Sequence, residues 1–258
     1  MAEQMIFKRY EVKYMLTKEQ FEAVVKKMSD HMVPDEWGNS TILSLYFDTP
    51  DYLLARRSAE HPEYKEKLRL RSYGVAKSDT KVFIELKKKY DGVVYKRRIG
   101  MKETEAMDYL LRDRKVLNNQ IEAEIDHTKE RYKGIKPRVL LSYEREAFYA
   151  KDDHEFRVTF DRNILWREDN VNLTSGVYGE SLLKDGQVLM EVKAGGAIPL
   201  WFVNILSEEK LYKTSFSKYG TAYKTIFQRS HNLSRVRSRV RVTDKQPAGE
   251  TARYSLRA

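Results

Sequence analysis

Between Lys65 and Arg71 every second residue is a cation, Lys65, Lys67, Arg69 and Arg71, with Leu68 and Leu70 among the residues between them. A period of two is the period of an extended chain, which sends alternate side chains to opposite faces. On a helix the same spacing would scatter the charges around the cylinder. Residues 64–73 are therefore predicted to form a strand with one apolar face and one face of long, like-signed side chains. An ordinary half-buried strand turns its polar face to water and carries charges of both signs there. Four cations in a row on one face call for an anion.

The pattern recurs. Asp91-Gly92 is a strong signal for a two-residue hairpin turn, so the register of its flanking strands, 81–90 and 93–100, follows directly. It sets Tyr90 opposite Val93, Lys87 opposite Lys96 and Glu85 opposite Arg98. Directly opposed like charges destabilise a sheet, and an anion between Lys87 and Lys96 would relieve them. Further on, Tyr143 and Arg145 share a face, as do Arg157, Thr159 and Asp161. Glu191 and Lys193 share another, with Val188, Met190 and Val192 on its reverse. One such face alone is commonly a solvated surface. Repeated on strand after strand, it points to an internal site for a phosphate chain. Arginine supplies paired donors there, lysine supplies point charge, and carboxylates hold Mg²⁺ or Mn²⁺.

The remaining elements complete an α+β chain. Residues 6–15 alternate as a strand and lead into a helix at 17–31 through Thr17 and Gln20, a capping box. A strand is predicted at 41–48 and a short helix at 52–58. Residues 103–131 read as helix, with Met107, Leu110 and Leu111 as its apolar patch. Strands follow at 137–150, 155–166 and 187–194, and helices at 199–212 and 217–228, the last capped by Ser217. From His231 this pattern fails. Arg235, Arg237, Arg239 and Arg241 alternate with Val and Ser and precede Gln246-Pro247-Ala248-Gly249. The expected division is a folded domain over 1–230 and a basic, flexible tail over 231–258. Strands outnumber helices in antiparallel order, which points to a barrel or strongly curved sheet with helices packed outside.

Composition narrows the partners. Lys and Arg number 48 against 38 Asp and Glu, a net charge of +10, so phosphates, nucleic acid and acidic membrane surfaces are the natural ones. The chain has no cysteine, which excludes disulfides, thiolate zinc sites and cysteine nucleophiles. No secretory signal and no run of about 18 apolar residues is present, so a cytoplasmic protein with no transmembrane segment is expected. The five histidines, His31, His61, His127, His154 and His231, lack ligand-like spacing and are assigned to surface or structure. Tyr46, Phe47, Trp166 and Trp201 are assigned to packing, Trp201 holding its helix against the barrel.

Taken in order, these motifs resemble the triphosphate tunnel metalloenzyme (CYTH-like) superfamily. Within it they resemble the VTC domain, the polyphosphate polymerase core of the eukaryotic vacuolar transporter chaperone complex. The resemblance covers about 6–228 and is carried by Arg9-Tyr10-Glu11-Val12-Lys13-Tyr14, Ser44 to Thr49, Lys67 to Arg71, Glu85-Leu86-Lys87 and Lys96-Arg97-Arg98. It continues through Tyr143-Glu144-Arg145, Arg157 to Asp161, Glu191-Val192-Lys193 and Ser217-Lys218-Tyr219. It implies an eight-stranded antiparallel tunnel barrel with helices outside. The phosphate ligands it implies are Lys13, Arg69, Arg71, Lys87, Lys96, Arg98, Arg145, Ser217 and Lys218, with Lys87, Arg145 and Lys218 in catalytic contact. Glu191 matches the metal-binding glutamate, joined by Glu11 and Glu85 as further candidates for Mn²⁺ or Mg²⁺. The implied activity is transfer of the ATP γ-phosphate to a growing polyphosphate chain, releasing ADP. The superfamily's ExExK start is replaced here by Arg9-x-Glu11-x-Lys13, a change that favours the VTC branch over a two-metal triphosphatase.

Polyphosphate polymerase is thus the function expected, with ATP and inorganic polyphosphate as partners. A tripolyphosphatase or nucleoside triphosphatase of the same fold is one rival reading. A non-catalytic polyphosphate or nucleic-acid binding module is the other, though nucleic acid is not the expected partner.

Overall fold

The computed structural model describes residues 10–60, 62–91, 93–114 and 117–243, with side chains described as far as 232. Two units divide at Ala222 and Tyr223. The first holds the sheet and all of the charged strands.

Strands β1 (Tyr10–Leu16), β2 (Met32–Asp48), β3 (Tyr64–Tyr73), β4 (Lys81–Tyr90), β5 (Val93–Lys102), β6 (Lys136–Ala150), β7 (Arg157–Arg167) and β9 (Val188–Ala194) are long. Two-residue strands, β8 (Glu180–Ser181) and β10 (Lys213–Thr214), bring the sheet to ten. The order is β10-β1-β9-β7-β6-β2-β3-β4-β5, with β8 beside β7, and every pairing is antiparallel. The eight expected strands are the eight long ones. The expected barrel is not closed: among the described residues no ladder joins β5 to β10, so the sheet curls without sealing.

The curl is visible in a single contact. Lys87 of β4 reaches Glu11 of β1 at 3.3 Å, although five strands stand between them in the ladder. Six strand spacings in a flat sheet would separate them by about 29 Å.

Apolar residues of the outer face meet the helices in two clusters. Val12, Tyr14 and Leu16 of β1, with Val158, Phe160 and Val192, pack under α1 (Lys18–Met28) and a later helix, Leu200–Glu208. Leu43, Leu45, Leu68, Leu70, Ile84 and Leu86 pack under the helices that follow β5. Short helix α2 (Leu53–Ala59) follows β2. The capping box of α1 forms as predicted, with Thr17 Oγ1 accepting from Gln20 N at 3.3 Å and Gln20 Oε1 accepting from Thr17 N at 3.0 Å. Trp201 packs on the first cluster, edge-on to Phe156 and stacked on His31.

Four sequence readings need correction. The helix predicted over 103–131 is two, α3 (Glu103–Arg112) and α4 (Gln120–Arg131). Asp113 and Asn118 turn the backbone to positive φ between them, and Asn119 caps the second helix by accepting from Glu122 N. Leu111 lies outside the apolar patch and is exposed, while Leu110 is buried. The strand predicted from 41 begins at Met32, because an irregularity between Pro34 and Asn39 hides its first part from a period-two reading. The later helices are α5 (Leu200–Glu208) and α6 (Lys218–Thr243), and α6 runs well past 228. Leu233, Val236 and Val240 recur at spacings of three and four, a helical signal that the alternating arginines masked. The flexible tail was expected from 231. Its residues 231–243 are helical, and residues 244–258 lie outside the described residues, as do residues 6–9 of the first predicted strand.

Candidate functional site

The hairpin register is as the sequence predicts, Tyr90 with Val93, Lys87 with Lys96 and Glu85 with Arg98. Asp91 takes the positive φ (44°) that a tight hairpin turn requires, and Gly92 lies outside the described residues. The register places Glu85 at the centre of a knot of cations. Its Oε2 accepts from Arg69 Nε at 2.7 Å and lies 3.7 Å from Arg71 Nε. Its Oε1 lies 2.9 Å from Lys96 Nζ and 3.6 Å from Arg98 Nε. The carboxylate is 1% exposed. Burial would raise its pKa, but Arg69, Arg71 and Lys96 outweigh burial and hold it well below the ordinary carboxylate range. The opposed Lys87 and Lys96 are relieved by protein carboxylates on two sides, Lys96 turning to Glu85 and Lys87 to Glu11.

A second knot surrounds Asp161 and Glu191. Arg145 donates to both oxygens of Asp161, at 2.6 and 2.7 Å. Lys218 is ion-paired with Asp161 and donates to Glu191 Oε1 at 3.2 Å. Around Glu191 stand also Lys13 at 3.4 Å, Arg145 at 3.6 Å and Lys193 at 3.7 Å. Burial opposes ionisation of Glu191, and Lys218, Lys13, Lys193 and Arg145 overcome it, so its pKa lies well below the ordinary value. Glu11 is lowered to about 2 in the same way, burial working against Lys87, Lys193 and Lys13. Tyr143 joins the two knots. Its hydroxyl accepts from Arg71 Nη2 at 3.1 Å, and its ring lies 4.8 Å from Lys218 Nζ and 5.2 Å from Arg145 Cζ.

Lys218 is aimed by its neighbour. Tyr219 donates its hydroxyl to Asp48 Oδ2 at 2.6 Å and stacks on Tyr46 with centroids 4.4 Å apart. Asp48, fully buried, also accepts from Thr49 N, Leu54 N and Ala55 N, so one carboxylate fixes both α2 and the first turn of α6. Tyr219→Phe is expected to lower stability by about 1–3 kcal/mol, because Asp48 loses a buried partner. Urea denaturation checks this, and an unchanged midpoint would remove the anchoring role.

All nine phosphate-ligand candidates come to this face. Lys13, Lys87, Arg145 and Lys218 meet around Glu11, Asp161 and Glu191, and Arg69, Arg71, Lys96 and Arg98 around Glu85. Ser217 Oγ accepts from Lys67 Nζ at 3.3 Å. With Lys67 and Lys193, at least ten cations of the described residues stand on the face beside the carboxylates Glu11, Glu85, Asp161 and Glu191. The sequence reading noticed Lys67, Lys193, Asp161 and Tyr143 as face residues but gave them no site role. Tyr46 and Asp48 lie within the Ser44 to Thr49 motif, but nothing in it shows the stacking on Tyr219 or the bond from its hydroxyl.

The three metal candidates separate. Among the described residues no group of three or more His, Asp or Glu side chains is placed to hold a metal ion. Glu85 has both oxygens held closely by cations, at 2.7 and 2.9 Å, whereas the cations around Glu191 stand farther off, at 3.2–3.7 Å. Glu11 and Glu191 are drawn together by Lys13 Nζ, 3.6 Å from the first and 3.4 Å from the second. Beside Glu191, its Cα partner Thr159 is 4% exposed, and its hydroxyl has no hydrogen-bond partner. One or two carboxylates, a free hydroxyl and an oxygen-only donor set fit Mg²⁺ or Mn²⁺ completing its shell with water and substrate phosphate.

Burial is the largest influence on Lys67. Tyr46 works against it and Lys87, Lys13 and Lys65 with it, bringing the ammonium down to about 8 from its ordinary 10.5. Because the folded value lies below the unfolded one, protonated Lys67 disfavours the fold below pH 8, and that penalty fades as pH rises towards 10.5. A bound anion reverses the shift. Binding of inorganic tripolyphosphate is therefore expected to take up a proton near pH 8 and to weaken above it, by up to about tenfold per pH unit for this one group. Calorimetry in buffers of different ionisation heat measures the uptake. It should fall in Lys67→Met, leaving the share of Lys193, which burial also brings down to about 8.

Known proteins resemble this chain in fold and in sequence family. A candidate adenylate cyclase from Bacillus halodurans superposes with a TM-score of 0.52 at 15% identity, covering 83% of this chain and 96% of that one, a likeness of fold. A candidate adenylyl cyclase from Hippeastrum, described as having a dominant triphosphatase activity, gives 0.49 at 14% identity, covering 83% and 95%. No curated protein matches the sequence. The family model for the VTC domain matches residues 8–227, a span that takes in every strand and every charged residue of the two knots. This chain therefore belongs to the VTC domain family.

Proposed function

We propose that the protein is a polyphosphate polymerase, transferring the γ-phosphate of ATP to the end of an inorganic polyphosphate chain. The observation that carries this reading is the excess of fixed cations on one curled face, at least ten beside four carboxylates among the described residues, within a VTC domain. A flexible polyanion laid along that face replaces cation repulsion by cation–phosphate bonds, and the rows of β3, β4 and β5 are long enough to hold several phosphates in sequence.

In the reaction a terminal phosphate oxygen of the bound chain forms a bond to the γ-phosphorus. The bond from that phosphorus to the β–γ bridging oxygen breaks, and ADP leaves with the electron pair. The chain is one phosphate longer. The attacking oxygen is already anionic, so no side chain has to act as nucleophile or take a proton. The protein holds donor and acceptor in line and neutralises the charge spread over the transferred group. Lys87, Arg145 and Lys218 serve this neutralisation, with their own carboxylate partners fixing where each points. Mn²⁺ or Mg²⁺ held by Glu191 and Glu11 would supply Lewis-acid neutralisation of donor phosphate oxygens.

The test is incubation of purified protein with ATP and Mn²⁺, resolving ADP, free phosphate and polymer. Polymer with stoichiometric ADP supports the polymerase. Free phosphate without polymer makes the protein a triphosphatase instead. Glu191→Gln keeps the shape that four cations enclose and is expected to lower turnover at least about 100-fold. Turnover equal to wild type would remove Glu191 from the reaction.

A further inference from the structure

Helix α6 holds two lysines, five arginines and no carboxylate over its 26 residues. Of these cations the two knots use only Lys218. No acid within the helix is there to pair with the rest, so a charge this one-sided calls for an acidic partner.

The arginines are placed with respect to an apolar stripe. Ile226, Leu233, Val236 and Val240 follow one another at intervals of seven, three and four, and so share one side of the cylinder. At about 100° per residue, Arg237 and Arg241 fall on one flank of that stripe and Arg235 and Arg239 on the other, with Ser238 and Val242 behind. Arg229 falls within the stripe, a place where a long side chain can bury its stem and keep its charge in water. Residues 227–232 are all exposed, Phe227 among them at 47%.

The stripe and its flanks together select the partner. A nucleic-acid backbone would neutralise the arginines but has no use for apolar side chains. A second copy would cover the stripe in a coiled coil, but it would set arginine beside arginine along both flanks. An anionic lipid surface satisfies both features, since the stripe enters the acyl boundary while the flanks meet headgroup phosphates. From Ile226 to Val240 the helix is about 21 Å long. Among the described residues no helix is long and apolar enough to cross a membrane, so this one would lie along the surface.

We propose that residues 226–243 of α6 form an in-plane anchor for an anionic lipid surface. The inference is independent of the phosphate-chain reading of the charged face.

Co-sedimentation of the full chain with vesicles of phosphatidylcholine, alone or mixed with phosphatidylglycerol, tests it beside titration with duplex DNA. Wild type should bind the mixed vesicles, ignore phosphatidylcholine alone and be released by salt. A charge variant, Arg237→Gln with Arg239→Gln, should bind the mixed vesicles about 25-fold more weakly, roughly fivefold for each lost charge. A stripe variant, Leu233→Gln with Val236→Gln, keeps every charge and the helix propensity and should bind at least about tenfold more weakly. Tripolyphosphate should bind both variants as it binds wild type. Equal vesicle binding by wild type and the stripe variant overturns the anchor, because charge alone then attracts the helix. A wild type that binds neither vesicle, or both alike, also overturns it. Tighter binding of duplex DNA than of mixed vesicles, unimpaired in the stripe variant, makes nucleic acid the partner instead. If wild type binds the mixed vesicles but not tripolyphosphate, the anchor stands and the phosphate reading falls.

Discussion

Replacing Asp161 by alanine is expected to lower the stability of the fold by about 3–5 kcal/mol, the range found when one partner of a buried ion pair is removed. Asp161 is fully buried and receives two guanidinium bonds from Arg145 and an ammonium from Lys218. Without it, both cations converge on Glu191, which already faces Lys13 and Lys193. Burial resists ionisation of Asp161, yet Arg145 and Lys218 hold its pKa below the ordinary value, so the pair contributes stability above that range and loses it as pH falls through the lowered value. Urea denaturation measures the loss. Inorganic tripolyphosphate should raise the midpoint of Asp161→Ala more than that of wild type, because the anion takes the place left beside two cations. A variant as stable as wild type would mean that Arg145 and Lys218 are not bound to one another's position through this carboxylate.

The second large effect concerns rate. Lys218→Met is expected to lower turnover by about 10²–10³-fold, the loss seen when one preorganised donor to developing charge is removed. Lys218 is a suitable target because the fold can tolerate its loss. Asp161 keeps both bonds from Arg145, and Glu191 keeps Lys13, Arg145 and Lys193. Burial lowers the Lys218 pKa, but Asp161 and Glu191 outweigh it and raise the value above the ordinary one, so the side chain is charged throughout the working pH range. Lys27→Met, which removes surface pairs to Glu208 and Glu209, serves as the control and should turn over like wild type. Equal turnover in Lys218→Met and wild type would place the reacting phosphate elsewhere on the face.

Local chemistry made much of this fold legible from sequence. The period of two at 64–73 returns as β3 with those bounds, and Asp91-Gly92 sets the register of β4 and β5 residue by residue. Thr17 and Gln20 place the start of α1. What escaped was decided by irregular or distant features. Gly38 and the break after Pro34 interrupt the period in β2, and positive φ at Asp113 and Asn118 divides the stretch read as one helix, where Asp113, Asn118 and the cap Asn119 are the sequence signal that was passed over. In the site, alternation shows which side chains share a face but not which charges meet across it. Lys87 and Glu11 are 76 positions apart, and Lys13 donates to the carbonyl of Phe216, 203 positions away. Such pairs follow from the curl of the sheet. For the same reason Glu85 looked equivalent to Glu11 and Glu191 on the strand pattern; four cations surround Glu85 and four surround Glu191, but those nearest Glu85 stand at 2.7 and 2.9 Å and those around Glu191 at 3.2–3.7 Å.

A curled face that grips a phosphate chain through paired knots of charge needs both knots for binding. Calorimetric titration of inorganic tripolyphosphate into wild type, Arg69→Ala and Arg145→Ala tests it most directly. One variant opens the Glu85 knot and the other the Asp161 knot. Binding is expected to weaken with added salt and to fall at least about tenfold in each variant, since each lost charge-assisted pair is worth about 1.5–3 kcal/mol. Undiminished binding in both variants would contradict it and move the polyanion site off this face.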